Sequence, residues 1–252
     1  TPVSRICGLT LIPDIDGTDG ILQYEAETEG EGAVHVEIFD VEGNKAAEAE
    51  GASGIITIPD ARLWWPWPGT PYLYRAVFTF GEDIYEETFG IRTVKVEGTQ
   101  FLINGKPFYF KGFGKHEDSP FHGRGLDLCL DVKDVNLIHW LHANSFRTSH
   151  YPYAEEMYQL CDREGIVIID ETPAVGIGAG EHCDPYQIFP IREHHEAVLR
   201  DMIERDKNHP CVVMWSMGNE PDTEHFPESA YEYWHSLYEY TEPSCDLCVL
   251  PE

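Results

Sequence analysis

The chain has 252 residues, of which 42% are hydrophobic and 12% aromatic, enough for one large domain or two ordinary ones with packed cores. Lys and Arg number 17 and Asp and Glu number 45, which gives a formal net charge of −28. Nucleic acids and anionic membranes bind through basic patches, so this charge argues strongly against both as partners and favours a solvated acidic surface.

The sequence contains no run of about 18 apolar residues and no charged-then-apolar leader, so neither a transmembrane helix nor a signal peptide is predicted. The seven cysteines are odd in number and scattered, which favours reduced thiols in a cytoplasmic protein. Cys245 and Cys248 form the one CxxC pair, and zinc takes about four ligands. No metal or other cofactor is therefore predicted.

Residues 1 to about 97 are predicted to be all-β. Val34, Val36 and Ile38 alternate with polar residues, which is the period of a half-buried strand. Further strands are predicted at 55–58, 72–80 and 84–96, with turns at 42–44 and 81–83. Short strands at this spacing predict a small β-sandwich.

The loop at residues 63–68 reads Leu-Trp-Trp-Pro-Trp-Pro and is densely aromatic. Such a loop can stack on sugar rings. Edge packing or a domain interface is the favoured interpretation, because large aromatic side chains more often serve to bury area.

Strand and helix patterns alternate four times after residue 98. Strands are predicted at 108–110, 145–148, 166–169 and 211–215, and helical spacing follows each of them, the last at 228–240. Gly165 is predicted to end the second of these helices. The alternation predicts a parallel α/β sheet or barrel.

Polar residues follow each of the four predicted strands: His116-Glu117-Asp118, His150, Asp170-Glu171 and Asn219-Glu220. The carboxyl ends of the strands form the active face of a (β/α)8 barrel. Glycoside hydrolysis needs two carboxyl groups, and Glu220 beside the aromatic Trp215 fits a general acid. Asn219 fits a donor to a sugar hydroxyl. At any single tip, a helix cap or a solvated loop end is the structural alternative.

Metal chemistry is the less favoured interpretation of these strand ends. His116-Glu117 is followed by His122, six residues after the first histidine rather than the four of HExxH, and Pro120 interrupts any helix. This excludes that metalloprotease motif. A divalent metal held by His and carboxylate groups at several tips stays a minor alternative.

Four long motifs resemble glycoside hydrolase family 2, and within it the β-glucuronidases, in the order of that family. They are KGFGKHED at 111–118, ANSFRTSHYPYAEE at 143–156, GIVIIDE at 165–171 and DKNHPCVVMWSMGNEP at 206–221. The resemblance covers roughly residues 1–240. It implies an immunoglobulin-like β-sandwich at 1–97, followed at 98–252 by the first half of a (β/α)8 TIM barrel with about four βα units.

The resemblance also implies roles for individual residues. Glu220 matches the general acid/base of a retaining hydrolase of β-D-glucuronides, and Asn219 matches the residue that contacts the 2-hydroxyl. His150 and His116 match substrate-binding positions. Asp170, with Glu171 at the end of the third strand, is assigned to substrate binding in a supporting rather than a chemical role.

Other features of the family are not found in this sequence. Family members carry an N-terminal sugar-binding domain, and their nucleophilic Glu lies on a late barrel strand; neither is identified before Glu252. We therefore expect an incomplete glucuronidase that lacks the nucleophile, with a small glycoside as its partner and with homo-oligomerisation left open. A non-catalytic sugar-binding or assembly remnant is the alternative, as is a β-galactosidase or β-mannosidase of the same family.

Overall fold

The structure, a computed structural model, describes residues 2–173, 175, 189–219, 248 and 249, with the backbone alone at 189–192, 248 and 249. The chain divides into two compact units. The first comprises Thr1–Phe108 with the short segments Asp162–Gly165 and Asn208–Pro210, and the second comprises the remainder. No helix in the described ranges is long and apolar enough to cross a membrane.

The first unit is built from antiparallel strands. They are β1 (Arg5–Asp16), β2 (Asp19–Glu29), β3 (Val34–Phe39), β4 (Lys45–Glu50), β5 (Ser53–Ile58), β6 (Tyr74–Phe80), β7 (Asp83–Phe89), β8 (Val94–Glu97), β9 (Gln100–Ile103) and β10 (Lys106–Pro107). They form three sheets, with the strand orders β1-β2-β5, β4-β3-β6-β7 and β10-β9-β8.

The first two sheets share one hydrophobic core, which makes this unit a β-sandwich. Alternate residues of β2 and of β3 and β6 are buried, among them Leu22, Val36 and Ile38. The Tyr24 and Phe78 rings, one from each sheet, meet edge to face with centroids 5.8 Å apart. The period-two pattern at 34–38 therefore predicted the core face of β3 correctly.

The predicted strand at 84–96 is wrong in its extent. The structure has two strands there, because β7 ends at Phe89 and β8 begins at Val94 in a different sheet. Gly90 lies between them, and a Cβ at this glycine would stand 2.7 Å from the Cβ of Trp64. The chain thus packs closely at the point where β7 ends. Hydrophobic periodicity does not reveal such close packing.

The aromatic loop packs into the first unit rather than projecting from it. Trp64 is fully buried, and its Nε1 donates to the Asp162 carbonyl at 2.8 Å. The Lys106 ammonium lies 4.5 Å from the centre of the Trp65 ring. The packing interpretation of this loop thus fits better than sugar stacking.

The second unit alternates strands and helices. Its elements are β11 (Gly112–Lys115), α1 (Leu128–Trp140), β12 (Ser145–Thr148), α2 (Glu155–Glu164), β13 (Val167–Glu171), α3 (Phe189–Asp206), β14 (Val212–Ser216) and β15 (Cys248–Val249). The strands form one parallel sheet in chain order, β11-β12-β13-β14-β15. Neighbouring strands that are parallel, follow chain order and are joined by helices are the arrangement of part of a (β/α)8 barrel.

Two strand predictions in this unit need correction. The first strand lies at 112–115 and not at the apolar triplet 108–110. It approaches the next strand so closely that a Cβ at Gly112 would stand 2.1 Å from the Ser145 carbonyl oxygen, and only glycine permits that approach. A fifth strand, β15, pairs with β14 and was missed, because two residues carry no periodicity. The helix predicted at 228–240 lies outside the described residues.

Candidate active site

The carboxyl ends of four parallel strands bring the candidate residues together. Residues of β11, β12, β13 and β14 pair in parallel register, so the ends of these strands lie side by side at one edge of the sheet. This edge carries His116, His150, Glu171 and Asn219. The sequence prediction that polar strand ends converge is therefore met for the residues that the structure describes.

Glu171 lies at the centre of this group and is fully buried, with 0% of its surface exposed. Its Oε1 lies 2.7 Å from His150 Nδ1, while its Oε2 accepts from the Ser216 hydroxyl at 2.7 Å and lies 3.1 Å from Arg147 Nε. Removing a carboxylate from water costs several kcal/mol unless it is paired and hydrogen-bonded. The guanidinium and the two further contacts supply that compensation.

Arg147 links the second strand to the fourth. Its Nη2 donates to Asn219 Oδ1 at 2.9 Å while its Nε faces Glu171. Arg147 and Ser216 were not among the site residues predicted from the sequence. The available signal was a guanidinium inside the otherwise buried strand Ser-Phe-Arg-Thr, where a cation is expected only with a partner.

His116 and His150 face each other at the ends of β11 and β12. Their ring centroids are 5.3 Å apart with an interplanar angle of 84°, an edge-to-face contact. His116 is exposed and His150 is half-buried. The two predicted histidines thus form a small wall next to Glu171.

The segment after β11 is held in place by hydrogen bonds. The Glu117 carboxylate accepts from the Ala154 backbone N–H at 2.9 Å, and the Glu117 N–H donates to the Tyr151 hydroxyl at 3.1 Å. Burial raises the pKa of the Glu117 carboxyl. Lys115 forms an ion pair with Asp134 at 2.9 Å, so its charge is used structurally.

Asp170 does not fit the predicted role of a substrate contact. It is fully buried, and its Oδ1 accepts from the Tyr158 hydroxyl at 2.7 Å and from the Thr148 hydroxyl at 3.1 Å. Burial and, after it, the negative charge of Asp206 raise the pKa of Asp170. Because side chains alternate along a strand, Asp170 points towards α2 and α3 whereas Glu171 points into the candidate site.

Glu220, the predicted general acid/base, lies outside the described residues. Asn219, the residue before Glu220, is described. Asn219 forms a parallel bridge with Val175, and its side chain is bound by Arg147. The catalytic assignment of Glu220 and the predicted absence of a nucleophile both stay predictions.

Ligand atoms of His35, Glu37 and Glu48 on the sandwich lie within 4.8 Å of one another. The Lys45 ammonium lies 2.6 Å from Glu48 and 3.4 Å from Glu37, so both carboxylates already have a lysine as their ionic partner. This group is exposed or half-buried and is read as a surface ion-pair cluster.

A β-sandwich followed by the beginning of a TIM barrel, with His, Glu and Asn side chains at the carboxyl ends of the strands, is the architecture of a barrel protein whose candidate site lies at the strand ends. Two family models match the chain: "Glycosyl hydrolases family 2, TIM barrel domain" over residues 94–246 and "Glycosyl hydrolases family 2" over residues 4–92. The chain belongs to glycosyl hydrolase family 2.

Curated relatives include a β-glucuronidase of Paenibacillus borealis, 49% identical over 91% of this chain and 40% of that protein. A β-glucuronidase of Sus scrofa is 45% identical over 96% of this chain and 38% of that protein. This chain therefore spans about 40% of the length of the curated relatives that it matches.

Solved structures of similar fold carry the same description. A Faecalibacterium prausnitzii β-glucuronidase superposes with a TM-score of 0.91 at 56% identity, covering 100% of this chain and 43% of that one. A Ruminococcus gnavus β-glucuronidase in complex with D-glucuronic acid superposes with a TM-score of 0.89 at 42% identity, covering 98% of this chain and 42% of that one.

Proposed function

We propose that this chain carries the acid/base half of the active site of a retaining β-glucuronidase. The observation that carries the proposal is the series of contacts His150–Glu171–Arg147–Asn219 at the carboxyl ends of the strands, in which Glu171 and Arg147 form an ion pair. Asn219, the last member of the series, directly precedes Glu220 in the sequence. The β-glucuronidases among the relatives and solved structures, one of them with D-glucuronic acid, support glucuronate as the sugar.

The hydrogen bond from Arg147 determines which atom of the Asn219 amide can bind a sugar hydroxyl. A guanidinium has only donors, so the Asn219 atom that faces Arg147 must be the carbonyl oxygen. The amide nitrogen is then the group left to donate to a sugar hydroxyl. A hydrogen bond of this kind to the 2-hydroxyl strengthens as the oxocarbenium-like transition state forms.

In this mechanism Glu220 protonates the glycosidic oxygen as the bond to the anomeric carbon breaks. A second carboxylate about 5 Å away attacks the anomeric carbon and forms a glycosyl ester. Glu220, now ionised, takes a proton from the water that hydrolyses the ester. The resemblance places the attacking carboxylate on a late barrel strand, and that placement is part of the proposal.

A segment exchange tests whether residues 1–252 can serve as the corresponding part of a β-glucuronidase. Residues 1–252 would replace the matching segment of the F. prausnitzii β-glucuronidase, since the superposition covers 100% of this chain. Turnover of chromogenic β-glucuronide, β-galactoside and β-mannoside is then measured, with the parent enzyme as the positive control. We expect the glucuronide to be preferred by about 100-fold or more, because a site built for a polar group rejects analogues lacking it.

A folded exchange protein that prefers the galactoside or mannoside would contradict the proposed sugar. One that cleaves none of the three, while the parent is active and both give the same circular dichroism spectrum, would contradict the activity. The 252-residue protein is assayed alongside. Turnover by it alone would show that it holds a second catalytic carboxylate and would overturn the placement on a late strand.

A further inference from the structure

We propose that Glu171 is the positioning residue of this site. It determines which ring nitrogen of His150 and, through Arg147, which end of the Asn219 amide can face a bound sugar. This inference deepens the proposed function and rests on it for the identity of the ligand. The contacts that carry it belong to described residues alone.

Glu171 fixes the tautomer of His150. An ionised carboxylate only accepts hydrogen bonds, so the His150 Nδ1 at 2.7 Å from Oε1 must carry a proton. A neutral ring with its proton on Nδ1 presents Nε2 as an acceptor. The edge-to-face contact with His116 limits the rotation of the ring. His150 is thereby prepared to accept a hydrogen bond from a sugar hydroxyl.

Glu171 also orients the amide of Asn219, although the two do not need to touch. A guanidinium is a planar, rigid fork of donors. The ion pair between Arg147 and Glu171, with Nε 3.1 Å from Oε2, keeps this fork next to Glu171 and so limits where its other nitrogens can lie. Nη2 then donates to Asn219 Oδ1 at 2.9 Å. The amide nitrogen is left to donate to the ligand.

Glu171 itself is built to stay in place. It is fully buried, its backbone N–H donates to the Thr148 hydroxyl at 2.8 Å, and the Ser216 hydroxyl donates to Oε2 at 2.7 Å. A group held in this way acts through its neighbours rather than on substrate. The resulting pair, an acceptor from His150 and a donor from Asn219, matches the chemistry of sugar hydroxyls, each of which can both donate and accept.

The ring tautomer can be measured on the 252-residue protein without any assay of activity. ¹⁵N-labelled histidine gives distinct signals for protonated and unprotonated ring nitrogens, and the His150 signals are those lost in His150→Gln. We expect the Nδ1-protonated form in the wild type, with a hydrogen-bonded Nδ1 proton. In Glu171→Ala this proton signal should disappear and the Nδ1 preference should be lost.

Two further variants keep this experiment decisive. Glu171→Gln keeps the side-chain volume, so it serves if the alanine variant fails to fold, and it should weaken the same proton signal. Ser216→Ala removes a different partner of the same carboxylate and should leave the Nδ1-protonated form in place. An Nε2-protonated His150 in the wild type, or unchanged signals in a folded Glu171 variant, would overturn the proposal.

Kinetics on the exchange protein provide a second test. Glu171→Gln should lower kcat about 10–100-fold with a smaller change in KM, since misplaced groups cost most in the transition state. Glu86→Gln, an exposed carboxylate paired with Arg75 on the sandwich, is the matched control and should leave both constants unchanged. Unchanged kinetics in Glu171→Gln would contradict positioning.

The two proposals fail separately. An inactive exchange protein with the expected His150 tautomer would refute the proposed function and leave the positioning role of Glu171 supported. An active exchange protein, together with His150 signals that do not change in the Glu171 variants, would support the proposed function and refute the positioning role of Glu171.

Discussion

At the residue scale, two adjacent acids on one strand are both fully buried but have different partners. Glu171 faces the candidate site with Arg147 beside it, while Asp170 is buried against Tyr158. The sequence predicted that both lie at the end of the third strand. It could not tell which of the two faces the site, because the partners that decide this come from other strands and helices.

Asp170 gives a prediction about pH. Its pKa is raised by burial and then by Asp206, so the folded state holds a proton that the unfolded state releases. The stability from this group is full below its ordinary pKa near 4 and is lost as pH rises through the folded value. Asp170→Asn mimics the protonated form. As pH rises from 4 to 8, the free energy of unfolding of Asp170→Asn should therefore increase relative to that of the wild type.

Urea unfolding of both proteins across this pH range measures the difference. Asn also keeps an oxygen that can accept from the Tyr158 hydroxyl, so that contact is preserved. Parallel stability curves for the two proteins would refute the prediction.

His195 gives a prediction of the opposite sign. Burial lowers the pKa of His195 from 6.5 to about 4, so its folded form resists protonation. Stability from this group is full above pH 6.5 and is lost as pH falls through 4. A shift of this size corresponds to about 3 kcal/mol in the free energy of unfolding.

His195→Gln stays neutral and should flatten the loss of stability between pH 7 and pH 4, as measured by urea unfolding. His194→Gln is the matched control, because this neighbour on α3 is exposed. An equal acid sensitivity of wild type and His195→Gln would contradict the assignment.

At the element scale, the sequence patterns located β3 and β14 but did not locate β1 and β2, the two longest strands of the described residues, or the two-residue β15. The alternation at 34–38 and the apolar run at 211–215 correspond to β3 and β14, and Gly165 ends α2 with φ +71° as a C-terminal glycine does. The position of β11 was predicted wrongly because Gly112 in this strand is required by the close backbone of β12 and not by burial. Four residues of Gly-Phe-Gly-Lys carry no hydrophobic pattern.

Gly112 tests this explanation. In Gly112→Ala the new Cβ meets the Ser145 carbonyl oxygen, which belongs to the paired strand and cannot move aside. Overpacking of this kind costs roughly 1–3 kcal/mol in the free energy of unfolding. In Gly114→Ala the close contact is the movable Ser149 hydroxyl, so a smaller cost is expected.

Thermal or urea unfolding of the two variants provides the comparison. A Gly112→Ala protein as stable as the wild type would show that β11 does not need glycine for its approach to β12.

At the scale of the whole molecule, the order of a sandwich and a barrel half was predictable from the change in pattern near residue 98. The family models divide the chain at a similar place, 4–92 and 94–246, and the boundary at 97/98 itself stays a prediction. The cytoplasmic location also stays a prediction. Among the described cysteines, Cys7, Cys129, Cys161 and Cys211 are free thiols.

The net charge of −28 predicts a salt effect on stability. Repulsion among the acids destabilises the compact state, and added salt screens it, since the Debye length is about 10 Å at 0.1 M. The melting temperature should rise by a few degrees between about 20 and 300 mM NaCl at pH 7. The rise should vanish near the isoelectric point of 4.6, where the same series serves as the control. A flat response at pH 7 would contradict the prediction.

The proposed role of Glu220 as the general acid/base of a glucuronidase predicts that the defect of Glu220→Gln depends on the leaving group. An aryl glucuronide with a dinitrophenol leaving group needs no protonation, whereas one with an unsubstituted phenol does. In the exchange protein, the rate of the glycosylation step should fall by about 100-fold or more for the phenol and by far less for the dinitrophenol. An equal loss for both leaving groups would contradict the assignment of Glu220.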